Sequence, residues 1–253
     1  MPLTDDQLER YARHIVLPEI GGAGQVKLTE AQVVIIGAGG IGSPALLYLA
    51  AAGIGTITII DDDTVSLANL QRQIAFGVDD ICAPKVDAAQ KAMQRINPDV
   101  RVLPVEARIT ADNADALLKD ADVILDGSDN FATRLAVSDA AVRLKIPLVS
   151  AAIGRFQGQL ATFRGWEAES PCYRCFVGDA FDAEDCDTCA HVGVLGPMVG
   201  MLGCMGAMEV VRVLTGFGQD QAGKLQLIDG LALSMRAIKV AKDPACKGCG
   251  SAG

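Results

Sequence analysis

Aromatic residues are scarce in this chain. One Trp, three Tyr and seven Phe make up 4% of 253 residues, so the interior must be built from Ala, Val, Ile and Leu. Positive charge is also short: 22 Lys and Arg face 31 Asp and Glu, for a formal net charge of -9. Nucleic-acid binding rests on neutralising phosphates, so a surface of this sign opposes it. The first residues, MPLTDDQLERYARH, contain no apolar core of a secretory leader. Only Val192 to Val213 is apolar enough to raise a membrane span. His191, Glu209 and Arg212 near its ends, with glycines and a proline inside, favour a buried helix preceded by a loop. No Pro/Ser-rich linker and no internal repeat is visible. The expectation is a cytoplasmic protein with no membrane and no nucleic-acid partner.

The composition is otherwise that of a packed globular protein. Hydrophobic residues are 50% and charged residues 21%, which excludes wholesale disorder. The 27 glycines are scattered, as tight strand-to-helix turns require. Eight cysteines include three C-x-x-C pairs, Cys172/Cys175, Cys186/Cys189 and Cys246/Cys249. A disulfide framework belongs to small secreted chains that lack a core, so metal ligation is the better account. Two such pairs close one tetrahedral thiolate site, and spacing does not say which two. A redox C-x-x-C is the competing reading, although no thioredoxin-like unit accompanies it.

The hydrophobic pattern alternates. A helix is expected over Asp5 to Val16, then a turn at Pro18 to Gly22. Short β-branched runs at Ala31–Gly37, Thr56–Ile60, Val100–Val105, Val123–Leu125 and Pro147–Ser150 read as buried strands. Helical segments Ser43–Ala52, Pro84–Ile96, Ala111–Lys119 and Phe131–Leu144 separate them. Strand–helix alternation predicts an α/β fold with a doubly wound, mostly parallel sheet. After Ser150 the pattern changes: a strand at Gly158–Phe163, an acidic Cys-rich insertion near residues 166–191, a helix at Gly196–Leu214 and a strand at Lys224–Ile228. A Cys- and Gly-rich tail closes the chain. One domain is expected, with the nucleotide-binding part at about 27–150.

Three motifs bear on chemistry. Gly37-Ala38-Gly39-Gly40-Ile41-Gly42 is a G-x-G-x-x-G run between a strand and a helix, where backbone N–H groups meet a pyrophosphate. Asp61 ends the next strand and suits a ribose. Alone, this pair reads as an NAD-dependent oxidoreductase. Asn69-Leu70-Gln71-Arg72-Gln73 and Pro84-Lys85 then add cations that a dinucleotide rarely needs and a triphosphate does, since charge builds on phosphates under attack. Asp126-Gly127-Ser128-Asp129-Asn130 lies at a strand's C-terminal end, where a carboxylate beside triphosphate suits Mg²⁺. Asn130 also suits the N-cap of the following helix.

Taken in order, Arg10-Tyr11-Ala12-Arg13, Leu17-Pro18-Glu19-Ile20-Gly21, GAGGIG, Asp61, NLQRQ, PK, DGSDN, PCYRC and the final C-K-G-C give a pattern covering nearly the whole chain. It resembles the MoeB/ThiF/HesA type of E1-like adenylyltransferase. The resemblance implies ATP- and Mg²⁺-dependent adenylation of the C-terminal glycine of a small ubiquitin-like sulfur-carrier protein ending in Gly-Gly. A thiocarboxylate then forms, in molybdopterin or thiamine biosynthesis. It places Gly37, Gly39, Gly40, Gly42 and Asp61 on the nucleotide and Asn69, Leu70, Gln71 and Arg72 along the ATP pocket. Arg72 and Lys85 hold phosphates, and Asp129 holds Mg²⁺ with Asn130 nearby. Arg13 reaches the partner subunit's ATP site, which implies a homodimer. Cys172, Cys175, Cys246 and Cys249 are the implied zinc ligands in a carrier-binding part at about 151–253. Cys189 falls where some members have a loop cysteine that links covalently to persulfide or carrier.

Cys186 adds a thiol beside Cys189, open to an internal disulfide, and two further positions depart from the pattern. Ala68 stands where a Ser often precedes NLQRQ, and Cys82 stands where a Gly is usual before Pro84-Lys85. Neither removes a phosphate-binding group. The chain ends just after Cys249, so a separate protein is expected to donate sulfur. A non-catalytic carrier-binding scaffold would require loss of Arg72, Lys85 or Asp129, and all three are present.

Overall fold

The computed structural model describes residues 3–178 and 193–250. Two short helices, α1 (Asp5–Arg10) and α2 (Ala12–Ile15), and a third, α3 (Gly21–Glu30), lead into the sheet. The next elements are β1 (Gln32–Ile36), α4 (Gly42–Ala52), β2 (Thr56–Ile60), α5 (Lys85–Ile96), β3 (Arg101–Val105), α6 (Ala114–Leu118), β4 (Val123–Asp126), α7 (Phe131–Leu144) and β5 (Leu148–Gly154). They are followed by β6 (Gln157–Phe163), α8 (Tyr173–Val177), α9 (Gly196–Thr215), β7 (Lys224–Asp229) and β8 (Ser234–Lys239).

The described strands form one sheet in the order β3-β2-β1-β4-β5-β6-β7-β8. The first five are parallel and the last three antiparallel. The fold is therefore α/β with a mostly parallel, doubly wound sheet, as the alternation of strands and helices predicts. β1 is apolar along nearly its whole length because both faces are covered. One core cluster joins β1, β2 and β5 to α4, α5 and α9; the other joins β1 and β4 to α6 and α7.

The longest apolar stretch becomes α9. It is long and apolar enough to cross a membrane by composition, and here it packs on α4, β4, β5 and β6. Buried Glu209 explains how a carboxylate survives on that face. It accepts hydrogen bonds from Thr162 Oγ1 and Arg212 Nε, each at 2.8 Å.

Several boundaries differ from the sequence reading. The N-terminal helix breaks at Tyr11, whose buried hydroxyl accepts a 2.8 Å hydrogen bond from Asn97. A tertiary contact thus outweighs helix continuity. Helix α3 contains Gly21, Gly22 and Gly24, poor helix formers that hid it, and tertiary packing of Leu28 overrides them. The helix expected over Ala111–Lys119 shortens to α6. The sequence reading also overlooked β8, which is exposed along all six residues and so has no buried alternation to detect.

Candidate active site

Strand order reverses between β1 and β4, and the crevice beyond that point is where open α/β sheets bind ligands. The register brings Ile36, Ile60 and Asp126 level, so Gly37, Asp61 and Gly127 leave three neighbouring strands together. Gly37 has φ 85°, a left-handed conformation that suits glycine. A Cβ on Gly42 would overlap the Gly37 carbonyl oxygen, so the turn closes only with glycine there. The loop then enters α4, whose N-terminal end faces the crevice with the positive end of the helix dipole.

A cavity of about 390 Å³ opens over this loop. Gly37, Gly39, Gly40, Asp61, Asn69, Arg72, Lys85 and Asp129 all line it. Residues far apart in sequence, each named by a separate motif, thus face one space. Asp61 accepts hydrogen bonds from the N–H groups of Ala38 at 2.7 Å and Asp63 at 2.9 Å. Burial pushes its carboxyl above the ordinary range, and the Lys85 ammonium opposes that rise. Lys85 is 5% exposed, at the start of α5, and its Nζ pairs with Asp63 Oδ2 at 2.7 Å. Arg72 is half-buried, with Nη1 donating to the Ala68 carbonyl at 3.0 Å.

Other expected residues lie elsewhere. Leu70 packs against the core, and neither it nor Gln71 lines the cavity. Asn130 N-caps α7, accepting from the Thr133 N–H at 2.8 Å, and faces a smaller adjoining cavity with Asp62 and Arg108. Arg13 is exposed on α2 and does not line the larger cavity. Cys186 and Cys189 fall outside the described residues.

Residues the sequence reading passed over also face the cavity: Asp63, Gln73, Ser128 and Arg134, with Ile153, Val194 and Val199 as an apolar wall. The signal for Gln73 was its place at the end of NLQRQ. For Arg134 it was a cation in the first turn of a helix, where the macrodipole disfavours positive charge.

At the other end of the sheet, the sulfur atoms of Cys172, Cys175, Cys246 and Cys249 all lie within 4.8 Å of one another. The shortest separations are 3.4 Å for Cys175–Cys249 and 3.5 Å for Cys172–Cys246, with 3.9 Å for Cys172–Cys175. Thiolates about 2.3 Å from a tetrahedral zinc stand roughly 3.8 Å apart, so the donor set fits that ion. These four thiols form no disulfide. Burial pushes the Cys172 thiol far above the ordinary thiol range and that of Cys249 up to about 11; a coordinated dication would supply the charge that ionises them. The pairs are anchored through α8, where Arg174 holds Asp139 through two hydrogen bonds of 2.7 Å.

Comparison with known proteins identifies the family. The ThiF family profile matches residues 11–248. The chain is 42% identical to a sulfur carrier protein adenylyltransferase of Thermus thermophilus, over 99% of this chain and 93% of that one. It is 38% identical to a molybdopterin-synthase adenylyltransferase of Escherichia coli, over 98% of each. The crystal structure of E. coli MccB superposes with a TM-score of 0.84 at 23% identity, covering 96% of this chain and 72% of that chain, and supports the fold. A glycine turn, a strand-end carboxylate and a four-cysteine cluster, in one order along one sheet, place the chain in the ThiF family.

Proposed function

We propose that this chain is a nucleotidyltransferase that uses ATP and Mg²⁺ to adenylate the C-terminal glycine of a small ubiquitin-like sulfur-carrier protein. The observation that carries this reading is the single cavity gathering the glycine turn, Asp61, Asn69, Arg72, Lys85 and Asp129. The names of relatives at about 40% identity point the same way, including the sulfur carrier protein ThiS adenylyltransferase of E. coli. Molybdopterin and thiamine biosynthesis are the two pathways those names support. The protein acts in the cytoplasm, with a separate protein as sulfur donor.

In this reading the glycine turn and the α4 N-terminus receive phosphate oxygens, and Asp61 accepts from the ribose hydroxyls. Asp63 holds the Lys85 ammonium beside the cavity, ready to exchange one anion for another. Arg72 and Lys85 stabilise the charge that grows on the triphosphate. The Asp129 carboxylate, exposed in the turn after β4, would hold a hard cation such as Mg²⁺ beside the phosphates. Bound there, Mg²⁺ neutralises phosphate charge. A carboxylate oxygen of the carrier's last glycine attacks the α-phosphorus, a C–O–P bond forms and pyrophosphate leaves, with no proton transferred. Sulfur transfer then displaces AMP.

The division of labour follows the sheet. Residues about 27–150 bind nucleotide and about 151–253 bind carrier. The open edge strand β8, with exposed Met235 and Ile238 beside Leu231 and Leu233, supports the second assignment. Cys172, Cys175, Cys246 and Cys249 hold a structural zinc, and Cys189 is the candidate for a covalent link in the loop. A homodimer places Arg13 in the partner's site. Its support is the exposure of Arg13 and an apolar groove of about 340 Å³ beside it, lined by Leu17, Tyr48, Met208 and Phe217.

ATP–pyrophosphate exchange tests the reading. Exchange should require Mg²⁺ and a carrier with an intact Gly-Gly end. Equal exchange with a carrier shortened by its last glycine would refute it.

A further inference from the structure

The turn that carries Asp129 is gripped from behind by one cation. Arg134, at the end of the first turn of α7, is 6% exposed. Its Nη2 donates to the carbonyl of Ser128 and, at 2.9 Å, to that of Ala151, while Nη1 donates to Ser150 Oγ at 3.2 Å. Among the described residues no carboxylate pairs with it. The position carries two electrostatic penalties: desolvation of a guanidinium without a counter-charge, and the positive end of a helix. A Leu or Met would fill the same space without either.

What the arginine provides is a three-point clamp between the β4–α7 turn and strand β5. The turn is also tied by the Gly127 N–H, which donates to the Ile36 carbonyl at 3.0 Å, and by the Asn130 cap on α7. Asp126 Oδ1 accepts from the Ser128 N–H at 2.9 Å, but Asp126 Oδ2 and Ser128 Oγ are buried without partners. Arg134 also lines the nucleotide cavity beside Ser128 and Asp129.

We propose that Arg134 is a positioning residue for adenylation: by fixing the Ser128 carbonyl against β5 it holds the Asp129 carboxylate where a metal–nucleotide complex meets it. The role of Asp129 rests on the adenylyltransferase reading. The clamp itself rests on the hydrogen bonds of Arg134.

The test separates metal capture from nucleotide binding and from folding. Arg134→Met, Arg134→Lys and Ser150→Ala are compared with the unaltered protein by circular dichroism, by calorimetric titration of ATP in EDTA, and by electron paramagnetic resonance of Mn²⁺ binding to the ATP complex. Arg134→Met should keep the fold and leave metal-free ATP affinity within about twofold, while Mn²⁺ affinity of the ATP complex falls roughly tenfold, the scale of losing a group that orients a metal ligand. Arg134→Lys should recover part of that loss. Ser150→Ala, which keeps the charge and removes one acceptor, should show a smaller fall and carries the test if Arg134→Met does not fold. Unchanged Mn²⁺ affinity in the folded variants, or an equal loss of metal-free ATP binding, would overturn the proposal. If the unaltered protein shows no pyrophosphate exchange but the Mn²⁺ effect stands, the adenylation reading fails and the clamp survives.

Discussion

At the scale of single residues, the site is held ready by local electrostatics. Lys85 is buried at the edge of the cavity and paired with Asp63, so its side chain is already held in place there. Exchanging Asp63 for a phosphate replaces one ion pair by another, so little reorganisation is needed. Cys82, three residues earlier, carries a different cost. It adopts φ 73°, in the left-handed region, at the position where the resembled family usually has glycine. That conformation costs a side-chain-bearing residue about 1–2 kcal/mol, against roughly 0.5–1 kcal/mol of extra unfolded-state entropy for glycine. Cys82→Gly should therefore stabilise the protein slightly, raising Tm on the order of 2 °C for a chain of this size. A lower melting temperature in a differential scanning calorimeter would show that the thiol makes a compensating contact.

Individual elements gain their roles from what they are tied to. Strand β8 is exposed throughout, and the tail beyond it carries Cys246 and Cys249 back to Cys172 at the N-cap of α8 and Cys175 within it. The cysteine pairs are 74 residues apart, so a metal there closes a long loop and its binding energy is folding energy. Elemental analysis should find one zinc per chain. Cys246→Ser, or removal of zinc by a strong chelator, should lower Tm and expose the tail to protease while leaving the β1–β5 half protected. A metal-free protein that melts at the same temperature would assign these cysteines another task. Helix α9 shows the same dependence on context, because its apolar length marks a core helix only once α4 and the sheet are seen to cover it.

For the whole molecule, the question is where Arg13 acts. It sits on α2, outside the nucleotide cavity of its own chain, next to the groove formed by Leu17, Tyr48, Met208 and Phe217. In a two-fold dimer each site would take Lys85 from one subunit and Arg13 from the other. Arg13→Ala and Lys85→Ala proteins, each inactive alone, should then regain exchange activity when mixed. In every heterodimer one site carries both lesions and the other neither, so about half of its sites become competent, as the symmetry requires. Persistent inactivity after proven subunit exchange would remove Arg13 from the neighbouring site.

The sequence by itself determined the parallel half of the sheet, because its strands are short β-branched runs and the segments between them keep a helical pattern. It also named Asp61, Arg72, Lys85 and Asp129 through their motifs, whereas the spacing of three C-x-x-C pairs left open which two share a metal, and the choice of Cys172, Cys175, Cys246 and Cys249 came from the family resemblance. Tertiary structure alone decided the rest. Packing of Leu28 made a helix of the glycine-rich segment Gly21–Glu30, and pairing with β7 made a strand of the exposed residues Ser234–Lys239. The level ends of β1, β2 and β4 brought separate motifs into one cavity. Arg134 entered the site through hydrogen bonds to Ser128, Ser150 and Ala151. Local patterns fix what each segment prefers; which preferences meet, and which yield, depends on contacts between residues far apart in the chain.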